Sequence, residues 1–389
     1  MGQIAEFDKY ICNVNEMISK QEKFAIYGAG VLGEKLCYCL KKCDVFAFFV
    51  DNDLNKQQAG YIGELVYSER KYLEAQEATK IIIAASQKNT KDIRRNLLNI
   101  GLTEGVDFWT YTEFMERIFP AVFYLKFGEI FVSLAQICLT ERCTLKCRKC
   151  AHACYAVKAD KGDLSLQQVY HSADCFFEHV NYIQEFVLIG GEPLLYKDLD
   201  KAIIYIGEHY RDKIHIFSIT TNGTILPSER ILELCKKYNV LFRISNYSEA
   251  IPRLEQRYKA ITSLLDRENI SYSLGEKEHQ WMDYGFEYVN RQASASELIK
   301  VFDDCHTPCH EIRENRFYYC VMARSVSENL GMNVGKEDYL NMDDLQGEEG
   351  KRKLLAYSLG YSEKGYLDMC NFCHGAESIH YPIPAAEQL

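Results

Sequence analysis

No stretch of the 389 residues reaches the ~18 consecutive apolar residues of a membrane helix. The opening "MGQIAEFDKYICNVNEM" lacks a basic start followed by an apolar run, so no secretory signal is expected there. Gly2 is followed by Glu6, where N-myristoylation wants Ser or Thr. Positive charge is scarce: 45 Lys and Arg against 55 Asp and Glu leave a net charge of −10. A phosphate backbone demands a surplus of cations, so nucleic acid is not expected as the main partner. The expected location is the cytoplasm. In that reducing compartment sixteen cysteines read as metal ligands, reactive thiols or buried small hydrophobes, not as a disulfide framework.

The length allows two or three domains. Near the start, "KFAIYGAGVLGEKLCYCLKK" runs a short apolar strand into Gly28, Gly30 and Gly33 and then a helix. A second strand, "VFAFFVDND", ends at Asp51 and Asp53, and "TKIIIAAS" supplies another. Strand, glycine turn, helix, strand and acid follow in the order of a dinucleotide-binding unit. Gly28 would permit the tight turn, Gly30 the approach of phosphate, Gly33 the packing of helix on strand, and Asp51 would meet a ribose hydroxyl. The unit is expected to hold a nucleotide or nucleotide-sugar, or else to serve as a scaffold. Cys37, Cys39 and Cys43 on its helix are expected to be buried.

From Glu129 onward strands and helices alternate, which implies a parallel sheet with chemistry at the carboxyl ends of its strands. "ERCTLKCRKCAHAC" follows the first of these strands and spaces Cys143, Cys147 and Cys150 as CxxxCxxC. A structural zinc site wants four ligands; three thiolates on a cubane leave one iron open, which suits catalysis. "GGEP" follows the second strand, "SITTNG" closes the third and "RISNY" the fourth. Together these motifs resemble the radical S-adenosylmethionine (SAM) superfamily, from about Glu129 to the C-terminus.

The resemblance implies an α/β chain in three parts. A Rossmann-like doubly wound domain (1–115) would precede a partial (β/α)6 radical SAM barrel (116–300) and a small iron–sulfur extension (301–389). It implies a 4Fe–4S cluster on Cys143, Cys147 and Cys150. SAM would be held by Gly190, Gly191 and Glu192 at its amino group, and by Thr220 and Asn222, with Arg243 and Ser245 as further candidates. One departure is Lys149, where the family commonly has an aromatic residue against adenine; only its aliphatic stem could cover the ring. His152 is expected to hydrogen-bond beside the loop.

Near the end, "CHTPCHEIRENRFYYC" and "MCNFCHG" resemble the auxiliary-cluster extension called twitch, a shortened SPASM domain. That implies an auxiliary 4Fe–4S cluster on Cys309, Cys320, Cys370 and Cys373, with zinc on the same thiolates as the alternative. Asn315 would stand for the family's turn glycine at positive φ. Cys305 is left over as a candidate hydrogen-atom donor. Gln280, Trp281, Asp283 and Tyr284 are candidate substrate contacts. The implied activity is hydrogen abstraction by a 5′-deoxyadenosyl radical from a sugar or nucleotide-sugar, with electrons from a flavodoxin- or ferredoxin-type donor. The alternatives are a peptide maturase and a non-enzymatic nucleotide-binding regulator with structural zinc.

Overall fold

The structure, a computed structural model, describes residues 4–74, 79–157, 162–286, 289–303, 305, 309–332 and 338–389. They fall into two compact units: Asp8–Glu129, and Ile130–Leu389 together with the segment ending at Phe7.

The first unit is built on β1 (Phe24–Tyr27), β2 (Phe46–Val50), β3 (Val66–Tyr67), β4 (Lys80–Ile83) and β5 (Phe108–Thr110). All pair in parallel, in the order β3-β2-β1-β4-β5. This is a doubly wound order whose direction reverses between β1 and β4. Every side chain of β1 is buried, as expected of a central parallel strand covered on both faces. Ala25, Tyr27, Phe48, Val50, Ile81, Ile83, Leu97 and Phe108 form one core cluster. Cys37, Cys39 and Cys43 are buried on or just beyond the helix Val31–Lys42. The strands β3 and β5 have too few residues to leave a pattern in the sequence.

The second unit carries the repeated strand–helix pattern: β6 (Phe131–Cys138), β7 (Tyr182–Ile189), β8 (Ile214–Thr221), β9 (Val240–Ile244) and β10 (Tyr272–Leu274). Four helices, Leu166–His179, Leu199–His209, Glu229–Tyr238 and Leu254–Arg267, link them. The first starts in a capping box, Ser165 with Gln168. Register sets the site. Cys138 lies opposite Ile189, Leu188 opposite Ile219, and Thr221 opposite Ile244. The strands therefore finish nearly level, and the loops that follow them rise from one edge of the sheet.

The sheet has six parallel strands, but the sixth is not the next in sequence. β11 (Gln280–Met282) pairs antiparallel with β15 (Pro382–Pro384) as a separate ribbon. β12 (His310–Arg313) instead joins the other edge, parallel to β6, and β13 (Arg316–Tyr318) and β14 (Tyr339–Asn341) extend the sheet antiparallel from it. The β12–β13 hairpin turns at Glu314, whose φ is +54°. The expectation of positive φ at Asn315 is thus corrected by one residue. Asn315 has its own task, accepting from Met342 N at 2.7 Å through its carbonyl. No helix among the described residues is long and apolar enough to cross a membrane.

Candidate active site

The loop after β6 and the loop after β7 are laced together by their backbones. Gly191 N donates to Thr140 O at 2.7 Å and Glu192 N to Arg142 O at 2.9 Å. A Cβ on Gly190 would stand 2.4 Å from Thr140 O, and one on Gly191 2.4 Å from Arg142 O. Only glycine lets the two loops meet this closely. Cys143 Sγ then sits 3.3 Å from Gly191 O.

Glu192 is fully buried. Its carboxylate accepts from Thr221 Oγ1 at 2.8 Å, Asn222 N at 2.9 Å and Leu194 N at 3.1 Å. Burial holds its carboxyl above the ordinary value against those three donors. Glu192 therefore braces the β7 loop against the end of β8. Asn222 continues the brace to the cysteine loop: its Nδ2 lies 3.1 Å from Thr144 Oγ1 and 3.5 Å from Cys143 Sγ. The bond from Thr224 N to its Oδ1 fixes which way the amide points.

These loops surround a cavity of about 390 Å³, within the range of small-molecule sites. Cys150, Gly190, Gly191, Thr220, Asn222 and Ser245 line it, and Gln280, Trp281 and Tyr284 line it too. The structure thus brings most of the sequence candidates together. Tyr247, which sequence reasoning passed over, also lines the cavity and meets Trp281 edge to face at 5.6 Å. Its signal was an aromatic residue two positions beyond Ser245 at a strand end.

Glu192, Arg243 and Asp283 do not line the cavity, whereas Lys149 does. Arg243 is held in two-pronged fashion by Glu185 of β7, which also accepts from Ser218 Oγ at 2.8 Å. Asp283 pairs with Lys149 Nζ at 3.1 Å, and the same ammonium donates to Gly285 O at 2.8 Å. Lys149 adopts the left-handed conformation, φ +57°. It ties the cysteine loop to the segment after β11.

The thiols of the loop differ. A hydrogen bond from Cys154 draws the Cys150 thiol below its ordinary value against its burial. Burial pushes Cys147 up to about 12 and keeps Cys143 above its ordinary value. Below the loop lies a buried ionic network that no sequence pattern announced. Arg324, with no exposed surface, pairs with Glu141 and Glu311, and Arg313 pairs with Glu141 at 3.0 Å. Asn329 Nδ2 reaches Glu141 Oε2 at 2.9 Å and His152 O at 2.7 Å. The ligand atoms of Cys138, Glu141 and His152 lie within 4.8 Å of one another. Two guanidinium groups already neutralise Glu141, so this trio supports the loop and is no cation site.

A second, largely apolar cavity is lined by Cys305, Cys320, Cys370 and Cys373. Arg291 donates to the carbonyls of Cys370 and Cys373, and Gly375 N donates to Cys373 Sγ at 3.3 Å. Cys309 does not line this cavity. Its backbone bridges Cys320, but its Sγ lies 3.4 Å from Gln136 Oε1 on β6.

The glycine turn of the first unit is more self-contained. Gly28 has φ +123°, and its Cβ would stand 2.3 Å from Ala84 O; a Cβ on Gly33 would stand 2.1 Å from Gly28 O. A Cβ on Gly30 meets nothing within 4 Å. Asp51 accepts from Ala29 N at 2.9 Å, Asp53 N at 2.9 Å and Lys56 Nζ at 3.3 Å. Burial raises its pKa, but these donors outweigh it and hold the carboxyl below its ordinary value.

Among known proteins, residues 137–259 match the model of the Radical SAM superfamily. No curated protein matches the chain. Among solved structures, BtrN in complex with AdoMet and 2-DOIA is 16% identical, with 66% of this chain and 100% of that one covered and a TM-score of 0.39. AnSMEcpe with bound AdoMet is 14% identical over 59% and 84%, with a TM-score of 0.39. Streptococcus suis SuiB bound to precursor peptide SuiA is 18% identical over 47% of this chain, with a TM-score of 0.32. This chain spans only 39% of that protein's length. Likenesses this distant do not bear on substrate. The barrel of this chain carries a radical SAM domain, matched over residues 137–259.

Proposed function

We propose that this chain takes a hydrogen atom from a C–H bond of a sugar or nucleotide-sugar, in an oxidation, epimerisation or deoxygenation. What carries the proposal is the convergence of Cys150, Gly190, Gly191, Thr220, Asn222 and Ser245 on one cavity, with Gln280, Trp281 and Tyr284 also in its wall. Cys143, Cys147 and Cys150 would hold a 4Fe–4S cluster, and the strand-end loops would hold SAM. Three thiolates from one loop suit a cubane with one open iron better than a structural zinc site, which wants four ligands. When bound, the cluster and SAM supply a 5′-deoxyadenosyl radical, given one electron from a flavodoxin- or ferredoxin-type donor.

The chain's own work is placement and exclusion of water. Gly190 and Gly191 give backbone carbonyls room to face an amino group. Glu192 acts on that face through the loops it braces. Thr220, Asn222 and Ser245 offer hydroxyl and amide groups to a ribose and a carboxylate; Arg243, bound to Glu185, leaves that list. Trp281 and Tyr284 would present ring faces to the substrate, and Gln280 an amide.

An auxiliary cluster fits Cys305, Cys320, Cys370 and Cys373, which share a cavity, better than a set with Cys309, whose thiol faces Gln136. Cys305 then becomes a ligand candidate in place of a hydrogen donor. What supports a nucleotide-sugar is the doubly wound first unit, with open space at Gly30 where a phosphate would approach. The division into nucleotide-type domain, barrel and iron–sulfur extension belongs to the same proposal.

The test is anaerobic incubation with SAM, dithionite and a panel of nucleotide-sugars, followed by mass spectrometry. Replacing Cys143, Cys147 and Cys150 together by Ala is expected to abolish 5′-deoxyadenosine formation and to leave about four iron per chain, one cubane. Formation of 5′-deoxyadenosine by that variant sinks the assignment; turnover of no panel member sinks the substrate class.

A further inference from the structure

The segment 385–389 runs antiparallel along the cysteine loop. Arg148 N donates to Glu387 O at 2.7 Å and Leu389 N to Lys146 O at 2.9 Å, with Cys147 and Gln388 facing each other as a bridge. The Gln388 side chain completes the contact. Its Oε1 accepts from Lys146 N at 3.0 Å. Its Nε2 lies 2.7 Å from Ala386 O and 3.2 Å from Cys147 Sγ. The orientation of this amide is settled chemically. A backbone N–H can only donate and a carbonyl can only accept, so the oxygen must face Lys146 and the NH2 must face Ala386 and the sulfur. One of its two hydrogens goes to the carbonyl and the other to Cys147.

We propose that Gln388 is a positioning residue for the SAM-binding cluster: its carboxamide donates a hydrogen bond to the Cys147 sulfur while bracing the loop through Lys146. This rests on Cys147 being a cluster ligand. An N–H donor draws electron density from a thiolate ligand and favours the reduced cluster, and such outer contacts are among the main controls of potential. The same strap is continuous with β15, the partner of β11, which carries Gln280 and Trp281 of the cavity wall. The segment that tunes the sulfur is therefore also the backing of the proposed substrate wall.

Two substitutions separate donor from brace. Gln388→Glu keeps an acceptor for Lys146 N but replaces the donor by a carboxylate. Gln388→Leu removes both. Gln388 is exposed, so neither change threatens the fold. Potentiometric titration of the full protein, followed by the paramagnetic resonance signal that responds to added SAM, reads the cluster directly. The midpoint is expected to fall in the order wild type, Leu, Glu. At a fixed potential the Glu variant should show roughly a tenfold lower ratio of reduced to oxidised cluster, about 59 mV for one electron. Unchanged midpoints in both variants at full iron content would falsify the proposal. So would a Leu variant that loses its cluster beside a Glu variant with wild-type potential, for then Gln388 only braces. A wild type with no SAM-responsive signal overturns the cluster assignment itself, and shows this without any variant.

Discussion

Gly28, Gly30 and Gly33 follow β1 in one unit, and Gly190 and Gly191 follow β7 in the other. Four of the five are required by the chain's own packing. A side chain on any of the four would drive a Cβ to within 2.4 Å of a backbone oxygen. The nearby acids look alike in the same way. Asp51 and Glu192 both spend their oxygens on protein donors, Asp51 on Ala29, Asp53 and Lys56, and Glu192 on Thr221, Asn222 and Leu194. Glycine and acid motifs in both places first build the turn. The units differ in what is left over. In the barrel, the loops after β6, β7, β8 and β9 leave a cavity whose wall includes Gly190, Gly191 and Cys150. In the first unit, the feature left for a ligand is the open space at Gly30.

Gly191→Ala attacks the barrel side of this comparison and should have the largest effect. Its Cβ would also lie 2.9 Å from the Cβ of Cys143, so the cysteine must shift relative to Gly190. A displacement approaching 1 Å at a reacting centre costs roughly a hundredfold in rate. SAM cleavage in the absence of substrate is expected to fall by about that factor, measured as 5′-deoxyadenosine per cluster. A wild-type rate would mean that the two loops are not held as tightly as the backbone bonds indicate.

The auxiliary site offers a sharper contrast between neighbours in sequence. Cys305→Ala should remove about four iron per chain, one cubane, whereas Cys309→Ala should retain them. The reverse result would return Cys309 to the ligand set. The family resemblance places Cys309 in the set and leaves Cys305 over, although both cysteines precede the same hairpin. What separates them is the parallel pairing of β12 with β6, a long-range contact that turns the Cys309 sulfur toward Gln136. The barrel strands, by contrast, were legible as apolar runs bounded by turn residues, and the cysteine and glycine motifs fell at their ends. The pairing of Arg243 with Glu185 has a readable sign in the sequence. Glu185 lies inside the run YIQEFVLI, and an acid in a buried strand demands a cation. The segment 385–389 is too short to carry any pattern, and its role depends on contacts with residues far away in the chain.

Within the first unit the glycines should separate among themselves. Gly33→Ala must push the helix Val31–Lys42 away from Gly28, a local overpacking expected to cost about 1–3 kcal/mol. Gly30→Ala, at an extended φ of −135° and in open space, should stay within about 0.5 kcal/mol of wild type in denaturant titration. Gly30→Val should nonetheless weaken a nucleotide-type ligand, read by calorimetry on the full chain. A Gly30→Val protein that binds as wild type does would make the unit a scaffold.

A pH effect of its own concerns Glu116, in the short π-helical turn Phe114–Ile118 of the same unit. Burial raises its carboxyl to about 7 against the opposing charge of Arg117. A carboxyl whose folded pKa is raised binds its proton more tightly in the native state than in the unfolded one. Its contribution is therefore fully favourable below the unfolded value, is lost as pH climbs from about 4.5 to about 7, and is constant above that. One proton limits the slope to about 1.4 kcal/mol per pH unit. Urea unfolding followed by the fluorescence of Trp109, which lies in β5 of this unit, should show stability falling across that window. Glu116→Gln carries no titrating proton and should flatten the fall without touching the iron content of the barrel unit. A slope of equal size in the Gln variant would place the titrating group elsewhere. Loss of iron in step with it would mean that the two units are not energetically separate.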